Sequence, residues 1–235
     1  MLITALRMLF GDKVKCIGLV AGMALSTLLI CQQVSIFFGL LRRAESVVVD
    51  ASEAGIWVMD PSVKTIDAPY PLRDTALSRV PGVPGVKWAV PFFKSASQVR
   101  TPEGNLESTL IMGVDDASLI GMPDRFLLGS VEALRDPESI AVNPMGFRLL
   151  FPGEELTLGK VLEINDRRAV VRGIVDALPT FASNLLIYTR YSQALRYTNN
   201  GRNTLSFVLA EPVAGEPPEE VAARIAEETN LTATT

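Results

Sequence analysis

The chain contains no histidine among its 235 residues. Ser-His-Asp and Cys-His nucleophilic catalysis, zinc sites with histidine ligands and most general-base mechanisms depend on an imidazole group. The composition therefore excludes these kinds of active site.

Cysteine is nearly absent as well. The chain has two cysteines, Cys16 and Cys31, and both lie in one long apolar run. In a helix they would be separated by roughly 22 Å, because each residue adds about 1.5 Å of rise, and a disulfide cannot bridge that distance. The rest of the chain therefore has neither a disulfide nor thiol chemistry.

A phosphate-binding loop is also missing. The glycine-and-lysine cluster at residues 82–87 lacks the Gly-x4-Gly-Lys-Ser/Thr spacing that wraps backbone amides around phosphates. Neighbouring carboxylates such as Asp115 and Asp116 point to different sides of a strand or helix, so they indicate a solvated surface more than a paired acid–base site. We expect no catalytic residues, no cofactor and no metal ligands in this chain.

One class of enzyme needs no histidine, namely the membrane-anchored peptidases with a serine/lysine dyad. None of the six lysines lies in a Ser-x-x-Lys motif. An anchored hydrolase therefore stays an alternative only if a serine and a lysine outside such a motif form the dyad, for example Ser97 with Lys94.

Charge is absent from residues 16–41, which are flanked by Lys13 and Lys15 on one side and by Arg42 and Arg43 on the other. About 20 apolar residues in a helix span the hydrocarbon core of a bilayer. A secretory signal peptide is the competing interpretation, but its apolar stretch runs only about 7–15 residues and ends at a small-residue cleavage site. We therefore predict an uncleaved transmembrane helix at residues 16–43.

The two sides of this helix differ in charge. Residues 1–43 contain five of the 22 basic residues and one of the 26 acidic residues. The acidic remainder is poorly suited to bind nucleic acid. The basic excess before the helix weakly favours a cytoplasmic N-terminus and an exported domain. Residues 1–15 are expected to form an amphipathic segment on the membrane surface or, alternatively, the first turns of the spanning helix.

Small and polar residues inside the apolar run predict contacts with other helices. Gly18, Gly22 and Ser26 recur at four-residue intervals and so form a stripe that lets another helix approach closely. Glycine is also simply common in membrane helices. Gln32 and Gln33 favour the packing interpretation, because a membrane-embedded amide prefers an interhelical partner to lipid.

The pattern after Arg43 predicts mainly short strands. Extended chain is expected around Val47 and Val49 and at residues 56–59, and helices are expected at residues 72–80 and 219–229. Further strands are expected at residues 86–100, 106–114, 139–142, 155–158, 161–164, 169–175, 185–188 and 204–209. The last strand and helix are expected to return to the first part of the domain, which makes the middle part an inserted β-rich module.

Several motifs, in their order and spacing, resemble the MacB/FtsX-type ABC-transporter permeases, most closely the DevC-like branch. The segment Ala-Gly-Ile-Trp-Val-Met at residues 54–59 resembles the family's first strand after its first membrane helix. The other segments that resemble the family are the basic lead-in at residues 5–15, Val-Pro-Gly-Val at 80–83, Ile-Met-Gly-Val-Asp at 111–115, Leu-Gly-Lys-Val at 158–161 and Val-Val-Arg-Gly-Ile-Val at 170–175.

The resemblance implies an α+β fold in which one transmembrane helix is followed by a periplasmic domain of two parts. A porter-like αβ subdomain would comprise residues 44–115 and 201–235, and a β-rich subdomain at residues 116–200 would be inserted in it. It also implies a bacterial plasma-membrane permease that dimerises, contacts membrane lipid, and works with a cytoplasmic ABC ATPase subunit and a periplasmic adaptor protein. Such permeases couple ATP hydrolysis mechanically to the external domain and export lipid-like or other substrates.

Members of this family carry three further membrane helices after the external domain, which this chain does not contain. We expect the chain to be the N-terminal part of such a permease. The alternative is a single-pass membrane-anchored adaptor or scaffold that binds partners without transporting anything.

Overall fold

The structure is a computed structural model that describes residues 13–50, 54–66, 68–180, 182–198 and 204–235. The chain divides into two compact units, residues 1–44 and 45–235. The expected amphipathic segment at residues 1–15 lies outside the described residues except for its last three, which are helical.

Helix α1 runs from Lys13 to Asp50. It contains no proline, the residue that most strongly breaks a helix. The prediction of extended chain around Val47 and Val49 was wrong, because the backbone there is still helical. Each residue added to an existing helix gains a hydrogen bond, whereas a valine lowers helix propensity by less than about 1 kcal/mol.

Among its described residues, the second unit contains a ten-stranded sheet, a separate two-stranded ladder, four further α-helices and two short 3-10 helices. Its helices are α2 (Thr75–Arg79), α3 (Pro144–Leu150), α4 (Tyr191–Tyr197) and α5 (Pro218–Thr229). The large sheet contains β1 (Ile56–Met59), β3 (Val86–Arg100), β4 (Leu106–Val114), β5 (Phe126–Gly129), β6 (Ser139–Val142), β7 (Val161–Ile164), β8 (Arg167–Val175), β9 (Leu186–Arg190), β11 (Phe207–Pro212) and β12 (Thr232–Thr234). The small ladder pairs β2 (Leu72–Arg73) with β10 (Thr204–Leu205).

Strand β3 joins two parts of the large sheet. Its first half, up to Phe92, pairs with β11, and β11 leads on to β1 and β12. Its second half, from Phe93, pairs with β4. From β4 the pairing continues through β9, β6, β8 and β7 and returns to the end of β3, which closes a ring of six strands.

Phe92 and Phe93 show how β3 supports separate cores. Successive side chains on a strand point to opposite faces, and both rings are about 1% exposed. Phe93 belongs to the cluster that the ring of strands shares with α3 and α4, and Phe92 belongs to a second cluster that extends from β1 and β11 to β4, β6 and β9. A third cluster packs α5 and α2 on β1 and β11.

Most of the expected elements are present. Strands 56–59, 106–114, 139–142 and 161–164 have the expected bounds, and the C-terminal helix begins one residue early, at Pro218. The expected helix at residues 72–80 is shorter, since β2 precedes it and a 3-10 turn follows. The strand expected at residues 155–158 was wrong, because this stretch contains no regular element. The fold is α+β, as predicted, and the subdomain bounds stay predictions.

Candidate functional site

Helix α1 presents a long apolar surface. Within Lys13–Leu41, an 18-residue window has a mean hydropathy of 2.0, and none of that window is buried. Ile30 is 63% exposed and Phe37 58%. This stretch of helix is about 43 Å long, which exceeds the roughly 30 Å hydrocarbon core of a bilayer. The helix therefore fits a single membrane span, with lipid or other helices to cover its side chains.

The predicted helix-packing residues lie on α1, and most of them share one face. A rotation of about 100° per residue places Gly18, Ser26 and Gln33 within about 40° of Gly22 around the axis. Gln32 lies about 80° away from Gly22 and so falls outside this face. We call Gly18, Gly22, Ser26 and Gln33 the small-residue face. Their role in packing stays a prediction.

The small-residue face carries short side chains and has open space above its glycines. A Cβ atom added to Gly18 or Gly22 would meet nothing within 4 Å. The Ser26 hydroxyl donates a hydrogen bond to the Gly22 carbonyl oxygen at 2.9 Å, and Thr27 makes the same kind of bond to Met23 at 2.8 Å. The Ser26 hydroxyl is therefore satisfied within its own helix, so a close-packed neighbour need not provide a partner for it.

Trp57 anchors β1, the first strand after α1. Its ring lies 5.4 Å from Phe92 on β3 and 5.3 Å from Phe207 on β11, edge-on in both cases. The indole is 2% exposed, and its Nε1 is buried without a hydrogen-bond partner in the described structure. Apolar packing, and not a polar contact, therefore holds the indole among three strands.

The structure does not assemble the suggested Ser97/Lys94 pair. The two residues are three apart on β3, so their side chains leave opposite faces of the strand. The Ser97 hydroxyl donates to the Tyr197 carbonyl oxygen at 2.9 Å, and the Lys94 ammonium donates to the Ile66 carbonyl oxygen at 3.2 Å. In the described part of the chain, no group of three or more Cys, Asp or Glu residues is placed to hold a metal ion.

Comparison with known proteins identifies the class. A model of the family described as MacB-like periplasmic core domain matches residues 17–228. The chain therefore belongs to this family. Its domain is a component of ABC-transporter permeases and not a classical enzyme. MacB/FtsX-type permeases generally work with a cytoplasmic ATPase and adaptor partners. No curated protein matches the chain.

Two solved structures share the fold. The extracellular domain of the noncanonic ABC-type transporter YknZ from Gram-positive bacteria matches 77% of this chain and 98% of its own, at 14% identity and a TM-score of 0.55. The periplasmic region of MacB from Actinobacillus actinomycetemcomitans matches 83% of this chain and 94% of its own, at 11% identity and a TM-score of 0.56. The predicted MacB/FtsX-type resemblance is thus confirmed, and the DevC-like branch stays a prediction.

Proposed function

We propose that this chain is the N-terminal part of a permease subunit in the bacterial plasma membrane, with α1 as a membrane span and the sheet-rich domain outside. In this proposal, ATP hydrolysis by a separate cytoplasmic subunit moves the helices. The external domain follows that motion and drives the export of lipid-like or other substrates through an adaptor. The family match over residues 17–228 is the observation that carries the proposal.

The covalent path from α1 to the sheet is short, which supports a mechanical role. Only residues 51–55 separate the end of α1 at Asp50 from the start of β1 at Ile56. Strand β1 is not at an edge of the sheet, because it pairs with β11 on one side and with β12 on the other. A displacement delivered to β1 therefore acts on paired backbone and not on a free strand.

The sheet continues this path across the domain. Backbone pairing runs without a break from β1 through β11 and β3 into the six-stranded ring. The cluster that contains Trp57 also includes Met112 of β4 and Tyr188 of β9, both at most 1% exposed. Close-packed interiors transmit strain. The external domain is therefore suited to move as one body when β1 moves.

The small-residue face of α1 supports assembly with other helices, including a second copy of the chain. Without a hydrophobic driving force between helices in lipid, association depends on close packing and interhelical hydrogen bonds. Gly18, Gly22 and Ser26 permit the close approach, and the Gln33 amide can supply the hydrogen bond.

Copurification tests the proposal. The chain, with the remaining permease helices supplied from the same gene or from a downstream one, is coexpressed with the ATPase and the adaptor encoded beside it, and is purified in a neutral detergent. We expect both partners and a second copy of the permease to copurify. A permease that stays monomeric and binds neither partner would contradict the proposal. Recovery of the adaptor alone would favour the single-pass scaffold.

A further inference from the structure

We propose that the external domain binds a phosphate-bearing ligand in a cleft lined by four arginines, which we call the arginine cleft. Arg167 and Arg168 begin β8, Arg190 ends β9, and Arg196 lies in the last turn of α4. These elements come together where α4 packs on the six-stranded ring. The inference goes beyond the proposed transport function and does not depend on it.

The cleft has the size of a small-molecule site. Its volume is about 520 Å³, and ligand pockets usually measure about 300–1,000 Å³. The other residues of its wall are Pro137, Glu138, Asp166, Ser192, Gln193 and Tyr197.

Positive charge is concentrated here in a domain that is otherwise acidic. Four arginines and two carboxylate residues line the cleft, and one of those carboxylates, Glu138, forms an ion pair with Arg168 at 2.8 Å. Among the residues that the structure describes, Arg167 and Arg196 form no salt bridge. Both are exposed, so their charges are available to an anion that enters the cleft.

Arg190 is only partly exposed, and its buried Nε is not accessible from the cleft. Any contact between Arg190 and an anion in the cleft is therefore made by its other guanidinium nitrogens. Guanidinium groups bind phosphate with two parallel hydrogen bonds, which makes a phosphate a better match than a single-point acceptor.

The floor of the cleft is fixed by satisfied polar groups. Gln193 Nε2 donates to the Tyr197 hydroxyl oxygen at 2.8 Å, and that hydroxyl donates to the Arg168 carbonyl oxygen at 3.0 Å. Gln193 Oε1 accepts the Glu138 backbone N–H at 3.1 Å. Gln193 and Tyr197 are 7% and 2% exposed. These bonds tie α4 to the starts of β6 and β8, so the arginines are held by a rigid frame.

Calorimetric titration of the full chain in a neutral detergent tests the proposal with two soluble probes. Inorganic phosphate represents free phosphate, and glycerophosphoglycerol represents the headgroup of an anionic lipid. We expect at least one probe to bind, and the tighter one identifies the source of the ligand. Arg190→Gln and the more exposed Arg196→Gln should each weaken binding about tenfold or more. Arg190→Lys keeps the charge but loses the planar guanidinium group, so it should also bind more weakly.

Arg148→Gln is the matched control, because Arg148 is an exposed arginine on α3 that does not line the cleft. It should bind the probes as the unaltered chain does. If neither probe binds in the millimolar range, the proposal is wrong. It is also wrong if the control loses as much affinity as Arg196→Gln, since the binding would then reflect total charge and not this cleft.

Discussion

Trp57 packs edge-on against Phe92, with ring centroids 5.4 Å apart, at the point where β3 changes its partner from β11 to β4. This contact joins the first strand after α1 to the strand shared by both parts of the sheet. Trp57→Ala should lower the free energy of unfolding by about 3–5 kcal/mol, because it leaves a large cavity in a close-packed cluster. Trp57→Phe should lower it less, since the phenyl ring keeps most of the packing and removes the unpartnered indole N–H.

Chemical denaturation followed by circular dichroism measures these losses. Trp88→Ala provides the matched control, because Trp88 also lies on β3 but is only half-buried at the margin of the same cluster. Its loss should be clearly smaller. Equal losses for Trp57→Ala and Trp88→Ala would contradict the anchoring role of Trp57.

The small-residue face of α1 can be tested with two matched pairs of variants. Gly22→Leu should weaken helix association and Gly39→Leu should not, because Gly39 is equally open but lies about 100° away around the axis. Both changes raise helix propensity, so neither weakens the helix itself. Gln33→Leu should cost about 0.6–2 kcal/mol of association, and Gln32→Leu less.

Light scattering of the purified complex in detergent gives the oligomeric state for each of these variants. Ser26→Leu and Thr27→Leu form a third pair, since both lose a similar hydrogen bond to the preceding turn. Only Ser26→Leu should reduce the dimer fraction. Identical behaviour within all three pairs would show that this face of α1 does not pack against another helix.

Tyr197 gives the external domain a pH-dependent stability above neutral pH. Burial raises the pKa of its phenol above the ordinary value of 10.0, and the hydrogen bond from Gln193 only partly offsets this. Above about pH 10 the unfolded chain releases this proton while the folded chain keeps it, so the stability falls until the pH passes the folded pKa. At neutral pH, Tyr197→Phe should cost about 1 kcal/mol through the lost hydrogen bonds.

Urea denaturation at a series of pH values from about 8 to 11 follows this effect. The difference in free energy of unfolding between the unaltered chain and Tyr197→Phe should shrink as the pH rises. Only the unaltered chain has a phenol at this position, and its ionisation in the unfolded state lowers the stability. Burial also raises the pKa of Tyr191, which is present in both proteins and cancels in the difference. A difference that stays constant over the whole range would contradict the burial effect at Tyr197.

The side of the membrane occupied by the external domain can be tested by cysteine labelling. Glu103 lies exposed in the turn between β3 and β4, and the native Cys16 and Cys31 can be replaced by alanine. In cells whose outer membrane or cell wall has been made permeable, the thiol of Glu103→Cys should react fully with a membrane-impermeant maleimide. Labelling only after the plasma membrane is lysed would reverse the assigned orientation.

The sequence predicted elements best where the pattern was strong and local. Alternating or continuous apolar runs marked β4, β6 and β7, and Pro218 followed by two glutamates marked the start of α5. Helix α3 was missed, although Asn143 and Pro144 were a readable start signal. The Asn143 side chain caps the helix through the Gly146 N–H, and Pro144 takes the first helical position.

Other features depend on contacts that no local pattern carries. Strand β12 is three residues long and not buried, and it forms because β1 offers it an edge. Helix α4 packs closely on β4 at Gly113, where an added Cβ would lie 2.6 Å from that of Ala194. The four arginines of the cleft are separated by up to 29 residues, so the fold alone brings them together.

The distance between two external domains in the assembled transporter tests the central proposal most directly. Spin labels on Glu103→Cys, in a chain without Cys16 and Cys31, report this distance by pulsed electron paramagnetic resonance in the complex with the ATPase. We predict different distance distributions in the nucleotide-free and ATP-bound states. Identical distributions in a complex that still hydrolyses ATP would contradict mechanical coupling to the external domain.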